Sequence, residues 1–282
     1  MTMMTPAGGR TLGDLTGTVV LVGAGKMGGA MLDAWLALGL NANAAVVIEP
    51  QPTREVATLA SRGLRLNPAV TTAREAAAVL IAVKPQVAPE VVPTLKPYLG
   101  AGTVVVSIMA GRTLGFIEGA LGQRAAIVRA MPNTPASIGR GITVAVPNVR
   151  VSHRQRELVH ALLSATGGVE WVTEEALMDA VTAVSGSGPA YVFLLAEALA
   201  RAGAAAGLPA ELAAKLARAT VAGSGELLQR SPLDPATLRH NVTSPGGTTA
   251  AALDVLMAND GLAALMERAV GAATRRSREL AG

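Results

Sequence analysis

The sequence predicts an α/β amino-terminal domain followed by an all-helical carboxy-terminal domain. Three observations carry that expectation. Up to residue 170, short continuous apolar runs alternate with helically spaced segments. Beyond Trp171 the segments are longer and helical, with breaks at Gly and Pro. Between the first apolar run and the first helical segment lies Gly23-Ala24-Gly25-Lys26-Met27-Gly28. Strands buried on both faces read as unbroken apolar runs, so the first part is a mainly parallel sheet covered by helices.

Residues 1–17 read as a flexible leader. Strands are expected at 18–22, 44–48, 78–83, 104–107 and 126–130, and a further one at 142–146. Helices are expected at 27–38 and 53–61 and between most later strands. In the second part, helices are expected at 176–184, 190–206, 210–229, 248–257 and 262–280. Gly186, Gly188, Pro189, Gly207, Pro209, Pro232, Pro235, Gly246 and Gly247 mark the breaks, as Gly and Pro do at helix ends. The expected division is therefore a leader at 1–17, a dinucleotide-binding domain at 18–170 and a helical substrate-binding and dimerisation domain at 171–282.

Composition narrows the class. Hydrophobic residues make up 50% of the chain and aromatics only 2%, so the core is built from small and aliphatic side chains. Alanine-rich helices bury little apolar area each, and a second copy of the chain would add burial. The net charge of +4 is dispersed; the one dense basic group is Arg275, Arg276 and Arg278, without interleaved aromatics, which offers little basis for nucleic-acid binding. Cys is absent, which excludes disulfides and thiolate chemistry and fits a reducing, cytoplasmic compartment. No export signal is seen, and the apolar stretch 190–206 carries Glu197 and Arg201, so no membrane span is expected. The three histidines, His153, His160 and His240, lack metal-ligand spacing, and no metal site is expected.

The hexapeptide Gly23 to Gly28 satisfies the G-x-G-x-x-G pattern in its strand–turn–helix context. Gly23 makes the tight turn, Gly25 lets a diphosphate approach the backbone, and Gly28 lets the helix pack closely on the strand. Glu49 ends the second strand. An acid there can accept both ribose hydroxyls of NAD and repel the 2′-phosphate of NADP; the alternative is a side chain in solvent. Ala82, Lys84 and Pro85 close a later strand, where Lys84 either meets a phosphate or ribose or is a solvated cation. Asn133, in Met131-Pro132-Asn133-Thr134-Pro135, either orients a nicotinamide or a water, or serves a turn.

A second constellation runs from Asn241 to Thr249. Its Ser244-Pro245-Gly246-Gly247-Thr248-Thr249 core exposes backbone N–H groups ahead of a helix, a place for a substrate carboxylate, with Thr248 or Ser244 able to cap that helix. An ordinary capped turn is the plain alternative. Neither histidine nor lysine is placed to handle an alcohol proton here. A substrate that arrives already protonated, such as an iminium, needs no strong general acid.

Taken in order, the glycine hexapeptide, Lys84-Pro85, Met131 to Pro135, Ser185-Gly186-Ser187-Gly188-Pro189-Ala190-Tyr191 and Asn241 to Thr249 resemble the pyrroline-5-carboxylate reductase family. The resemblance spans nearly the whole chain. It implies a Rossmann-like amino-terminal domain and a helical carboxy-terminal domain whose helices interleave in a homodimer, with dimers often assembling into decamers. It implies reduction of 1-pyrroline-5-carboxylate to L-proline with NADPH or NADH, NADPH being commonly preferred. Carried onto this chain, Thr249 is the catalytic residue and hydrogen-bonds the ring nitrogen. Ser244 and the backbone from Val242 through Gly246, Gly247 and Thr248 hold the carboxylate. Gly23, Ala24, Gly25, Lys26, Met27 and Gly28 surround the diphosphate, while Glu49, Ala82, Lys84, Pro85 and Asn133 line the cofactor crevice. Glu49-Pro50-Gln51-Pro52 departs from the polar or basic residues that suit a 2′-phosphate. A reductase of a related cyclic imine or keto acid and a non-catalytic dinucleotide-binding scaffold are the competing readings.

Overall fold

In the computed structural model, residues 12–69 and 76–281 are described. Inter-residue contacts divide the chain into two compact units, residues 1–186 with 274–282, and residues 187–273. The last strand of the sheet closes at Trp171, one residue beyond the expected domain boundary at 170.

Among its described residues the first unit holds eight strands: β1 Val19–Val22, β2 Ala45–Ile48, β3 Arg65–Leu66, β4 Ala78–Ile81, β5 Val104–Ser107, β6 Ala126–Met131, β7 Gly141–Pro147 and β8 Gly167–Trp171. Their order in the sheet is β3-β2-β1-β4-β5-β6-β7-β8. Every neighbouring pair is parallel except β6 with β7. The chain leaves β1 to one side for β2 and β3, then returns to its other side for β4. Such a reversal opens a crevice at the carboxyl ends of the central strands, where ligands bind in open α/β sheets.

Alternation along the strands divides the core into two layers. Val19 and Leu21 of β1 face one side, with Trp35, Leu32 and Leu162. Val20 and Val22 face the other, with Val79, Ile81, Leu95 and Ile117. Helices cover both sides: α1 Lys26–Ala37, α2 Arg54–Leu59, α3 Ala88–Val91, α4 Leu114–Leu121, α5 His153–Ser164 and α6 Met178–Val181. The Trp35 indole N–H donates to the Leu162 carbonyl at 2.7 Å, tying α1 to α5 while its ring fills the core.

The expected flexible leader needs correction over its described part. Leu12–Asp14 forms a 3-10 turn, Leu12 is buried, and its N–H donates to Leu38 O at 3.1 Å. An apolar side chain with a core vacancy in reach packs rather than staying in water. Residues 1–11 of the expected leader lie outside the described residues.

The second unit consists of α7 Gly188–Ala205, α8 Ala210–Arg230, α9 Pro235–Asn241, α10 Thr248–Leu256 and the greater part of α11 Leu262–Ala281. Gly203 lies against Ala213, where a Cβ would come within 3.3 Å of the alanine methyl, so small residues let α7 and α8 cross closely. The turn between them closes on Gly207, whose φ of +101° suits glycine alone. The last residues of α11 belong to the first unit. There Ser277 Oγ donates to Asp179 Oδ1 at 2.7 Å, and the Arg278 guanidinium lies 3.8 Å from Asp179 Oδ2.

Candidate active site

The carboxyl ends of β1, β2, β4, β5 and β6 bring together the cofactor residues expected from sequence. Gly23 leaves β1 at φ +91°, and a Cβ there would press on the Ala82 carbonyl at 2.8 Å. Gly23 N–H donates to Ile48 O at 2.8 Å, fixing the turn to β2. Gly25 is the amino-terminal cap of α1, with no side-chain cap, and a Cβ added to it would meet open space. A Cβ on Gly28 would collide with the Gly23 carbonyl. The three glycines therefore serve three needs: a left-handed turn, an open face before a helix amino terminus, and close packing. That face and its free first-turn N–H groups fit a dinucleotide diphosphate. Ala24 is buried, Lys26 is exposed at the start of α1, and Met27 is half-buried against the core.

Glu49 follows β2 and turns back toward the glycine loop. Its Oε2 accepts from Ala24 N–H at 2.9 Å and its Oε1 from Gln51 N–H at 3.0 Å. Asn67 grips its backbone from both sides: Glu49 N–H donates to Asn67 Oδ1 and Asn67 Nδ2 donates to Glu49 O, each at 2.9 Å. Asn67 adopts φ +45°, a left-handed conformation asparagine tolerates better than most residues. Glu49 is half-buried, with its carboxylate directed at the glycine loop.

Ala82 sits under the glycine turn and donates its N–H to Val22 O at 2.7 Å. Lys84 is exposed in the loop that follows, and Pro85 opens a short 3-10 turn. Arg112 holds that loop: its Nε and Nη2 donate to Pro85 O at 3.0 and 2.7 Å, and its guanidinium lies 4.7 Å from the centre of the Phe116 ring. After β5, Ser107 Oγ accepts from Met109 N–H at 3.3 Å and closes the turn that leaves the strand. Asn133, after β6, accepts from Ile142 N–H at 2.9 Å through Oδ1. Its carbonyl is thereby committed to the turn, and its NH2 group is the side that can donate to a ligand.

Three positioning residues went unread in the sequence. Arg112 and Asn67 carry no motif. Glu175 is the third: its Oε1 accepts from Arg129 Nη1 and from Leu114 N–H, each at 2.8 Å. Arg129 is buried inside β6. A lone arginine in an apolar strand needs a buried acid, and that rule could have prompted the search for Glu175.

The expected substrate residues stand in the second unit: 242–247 link α9 to α10, and Thr248 and Thr249 open α10. Gly247 N–H donates to Ser244 O at 3.0 Å, and Gly246 adopts φ +68°. Gly247 is the amino-terminal cap of α10 and no side chain caps that helix, so neither Thr248 nor Ser244 takes the expected capping role. A glycine cap has no oxygen to offer, and the Ser244 carbonyl is used in the turn. The first-turn N–H groups of α10 are left to an external acceptor. Val242, Ser244, Gly246 and Thr248 are exposed; Gly247 and Thr249 are half-buried.

A hollow of about 1080 Å³ lies at the amino ends of the central strands, lined by Gly17, Ala77, Gly102, Arg124 and Arg154 among others. It is remote from the strand carboxyl ends and brings together none of the expected site residues. No group of His, Asp and Glu able to hold a metal occurs among the described residues.

Comparison with known proteins agrees with this geometry. Residues 18–111 match the family model described as NADP oxidoreductase, coenzyme F420-dependent, and residues 175–280 match that of pyrroline-5-carboxylate reductase dimerisation. The pyrroline-5-carboxylate reductase of Pseudomonas aeruginosa is 40% identical over 269 residues, covering 94% of this chain and 97% of that protein. The structure of a pyrroline-5-carboxylate reductase from Coxiella burnetii superposes with a TM-score of 0.87 at 34% identity, covering 95% of this chain and 100% of that one. That of Plasmodium falciparum pyrroline carboxylate reductase with NADP bound gives 0.80 at 30% identity, covering 95% and 99%. A Rossmann-like sheet with a helical dimerisation domain, a glycine turn open to a diphosphate, and identity along nearly the whole length lead to one conclusion: the chain belongs to the pyrroline-5-carboxylate reductase family.

Proposed function

We propose that the chain reduces 1-pyrroline-5-carboxylate to L-proline, with Thr249 as its catalytic hydroxyl. The observation that carries the reading is the alignment along 94% of the chain with a reductase of that name. A reduced nicotinamide dinucleotide bound at the glycine turn supplies the hydride. Gly23, Gly25 and Gly28 let its diphosphate lie against the backbone, and the amino terminus of α1 offsets the charge. Ala82, Lys84 and Pro85 line the crevice, and the Asn133 NH2 orients the nicotinamide.

On the substrate side, the Ser244 hydroxyl and the N–H groups of Ser244, Gly246 and Thr248 hold the carboxylate, since Val242, Thr243 and Gly247 N–H are spent within the turn and Pro245 has none. The uncapped amino terminus of α10 supports this role. The Thr249 hydroxyl hydrogen-bonds the ring nitrogen and relays its proton. Hydride adds to C5 of the protonated imine, the C=N π pair moves to nitrogen, and a secondary amine results. No strong general acid is required, and the protein acts mainly by juxtaposing two planar groups at about 3–3.5 Å.

The helical unit forms a homodimer, and the dimers assemble further into decamers that work in the cytoplasm. Family membership supports the ring assembly. The stretch Glu175–Ala205 is, by length and composition alone, apolar enough to cross a membrane, with mean hydropathy 1.3. It lies wholly inside the segment matched as dimerisation, which accounts for its apolar character without a bilayer.

Initial rates with 1-pyrroline-5-carboxylate and either reduced cofactor test the reaction. Turnover is expected, and Thr249→Ala should lower kcat/KM by about 100-fold, in the range of a lost proton-transfer group. Unchanged kinetics in the variant would remove Thr249 from catalysis. No turnover by protein shown to bind the cofactor would remove the substrate.

A further inference from the structure

We infer that Glu49 sets the cofactor preference of this chain, selecting a dinucleotide with a free 2′-hydroxyl (NADH) over one with a 2′-phosphate (NADPH). The inference rests on the proposed dinucleotide site and specifies its ligand. In this class of sheet, the acid after the second strand meets the adenosine ribose. Here the acid is locked in place. Ala24 N–H holds one carboxylate oxygen, Gln51 N–H the other, and Asn67 clamps the backbone. A carboxylate has about four acceptor positions, so two bonds leave room for both ribose hydroxyls.

The same loop is poor in everything a phosphate needs. Pro50 and Pro52 carry no N–H. The one intervening amide, Gln51 N–H, is spent on Glu49 itself. The next residue, Thr53, accepts from Val56 N–H through its hydroxyl oxygen at 3.3 Å as the cap of α2, and its O–H bonds to the Glu55 carboxylate. The first cation after Glu49 is Arg54, beyond both prolines. A 2′-phosphate would therefore face a fixed carboxylate beside a Pro-Gln-Pro loop whose one amide is already bonded. Moving Glu49 aside would break its bond to the glycine turn that holds the diphosphate. Preference and diphosphate binding are thus joined through one hydrogen bond, Ala24 N–H to Glu49.

The test measures binding of NADH and NADPH to the full-length protein by fluorescence titration or calorimetry, without substrate. NADH should bind on the order of tenfold more tightly or better, since a like-charge juxtaposition opposes the 2′-phosphate. Glu49→Gln keeps the size and the amide acceptor, and should narrow the ratio chiefly by improving NADPH. A competition needing no variant uses fragments: 5′-ADP should displace NADH more effectively than 2′,5′-ADP. Equal affinity for the two cofactors, a preference for NADPH, or a preference for NADH that Glu49→Gln leaves intact would each overturn the inference and leave the proposed reaction standing. Failure to bind either cofactor would overturn both.

Discussion

The two units differ most in what they do with their apolar side chains. In the sheet unit Leu32, Leu80, Ile81, Ile127 and Leu162 are all 0% exposed. In residues 187–273 the buried hydrophobics among those described are Ala213 and Ala217. Phe193, Leu194 and Leu195 on α7 stand 66, 57 and 53% exposed, and Val255 on α10 stands 73% exposed. The sheet closes its own core because helices pack on both its faces. The helical unit has no second layer of its own, so its apolar residues stay uncovered within one chain. A domain stabilised by burial cannot leave such a surface in water, and the match to a dimerisation domain identifies the cover as a second copy.

The sharpest way to break this contrast is to charge the uncovered face. Phe193→Asp removes a side chain worth about 1.5–3 kcal/mol when buried, and a two-fold interface loses it twice. The expected outcome is monomer in sedimentation equilibrium at concentrations where the parent is dimeric, and a melting temperature that no longer rises with concentration. A dimer of undiminished affinity would show that this face of α7 is covered by something else.

A core truncation probes the other side of the comparison. Leu80→Ala in β4 should cost about 2–5 kcal/mol, the range for a large-to-small change in a packed core. Chemical denaturation followed by near-ultraviolet absorption of the two tryptophans reads it out, because Trp35 packs in the same layer as Leu80 and Trp171 packs against that layer. The dimer affinity should be unchanged. If Leu80→Ala weakened the dimer as strongly as Phe193→Asp, the two units would share one cooperative core and the contrast would fail.

The same difference decides how much was legible beforehand. Strands β1, β2, β4, β5 and β6 are visible as apolar runs because both of their faces are buried. β8, Gly-Gly-Val-Glu-Trp, is a half-exposed edge strand and has no such run. β3 is only Arg65–Leu66, too short to show alternation. Helix α9 was hidden by reading Pro232 and Pro235 as breaks. Pro235 is instead the first helical residue behind the Asp234 cap, where the missing N–H costs nothing. The glycine turn is legible because each of its glycines answers a backbone demand that few other residues meet. The Glu49 contact with Ala24, the Asn133 contact with Ile142 and the Glu175 contact with Arg129 are not, because they join residues that the chain order alone does not bring together.

The smallest expected effect lies within the helical unit and touches neither its exposed face nor the site. Asp234 caps α9, accepting from Ala236 N–H at 2.9 Å and Thr237 N–H at 3.0 Å, with the Thr237 hydroxyl donating at 2.7 Å. The hydrogen bonds from the Thr237 side chain and backbone favour the carboxylate and hold its pKa below the ordinary aspartate value of 3.8. A depressed pKa means stability that is fully present above that value and is lost as pH falls through the lower, folded-state value. The Ala236 and Thr237 amide resonances should therefore move with an apparent pKa below 3.8. Asp234→Asn should retain the cap and abolish that titration, since asparagine is an equally good cap that carries no proton to lose. Because the group is fully exposed, the contribution is screened by salt and small beside the α7 and β4 effects. A titration midpoint at or above the ordinary value would mean that the cap bonds do not persist in solution, and that α9 begins beyond Pro235.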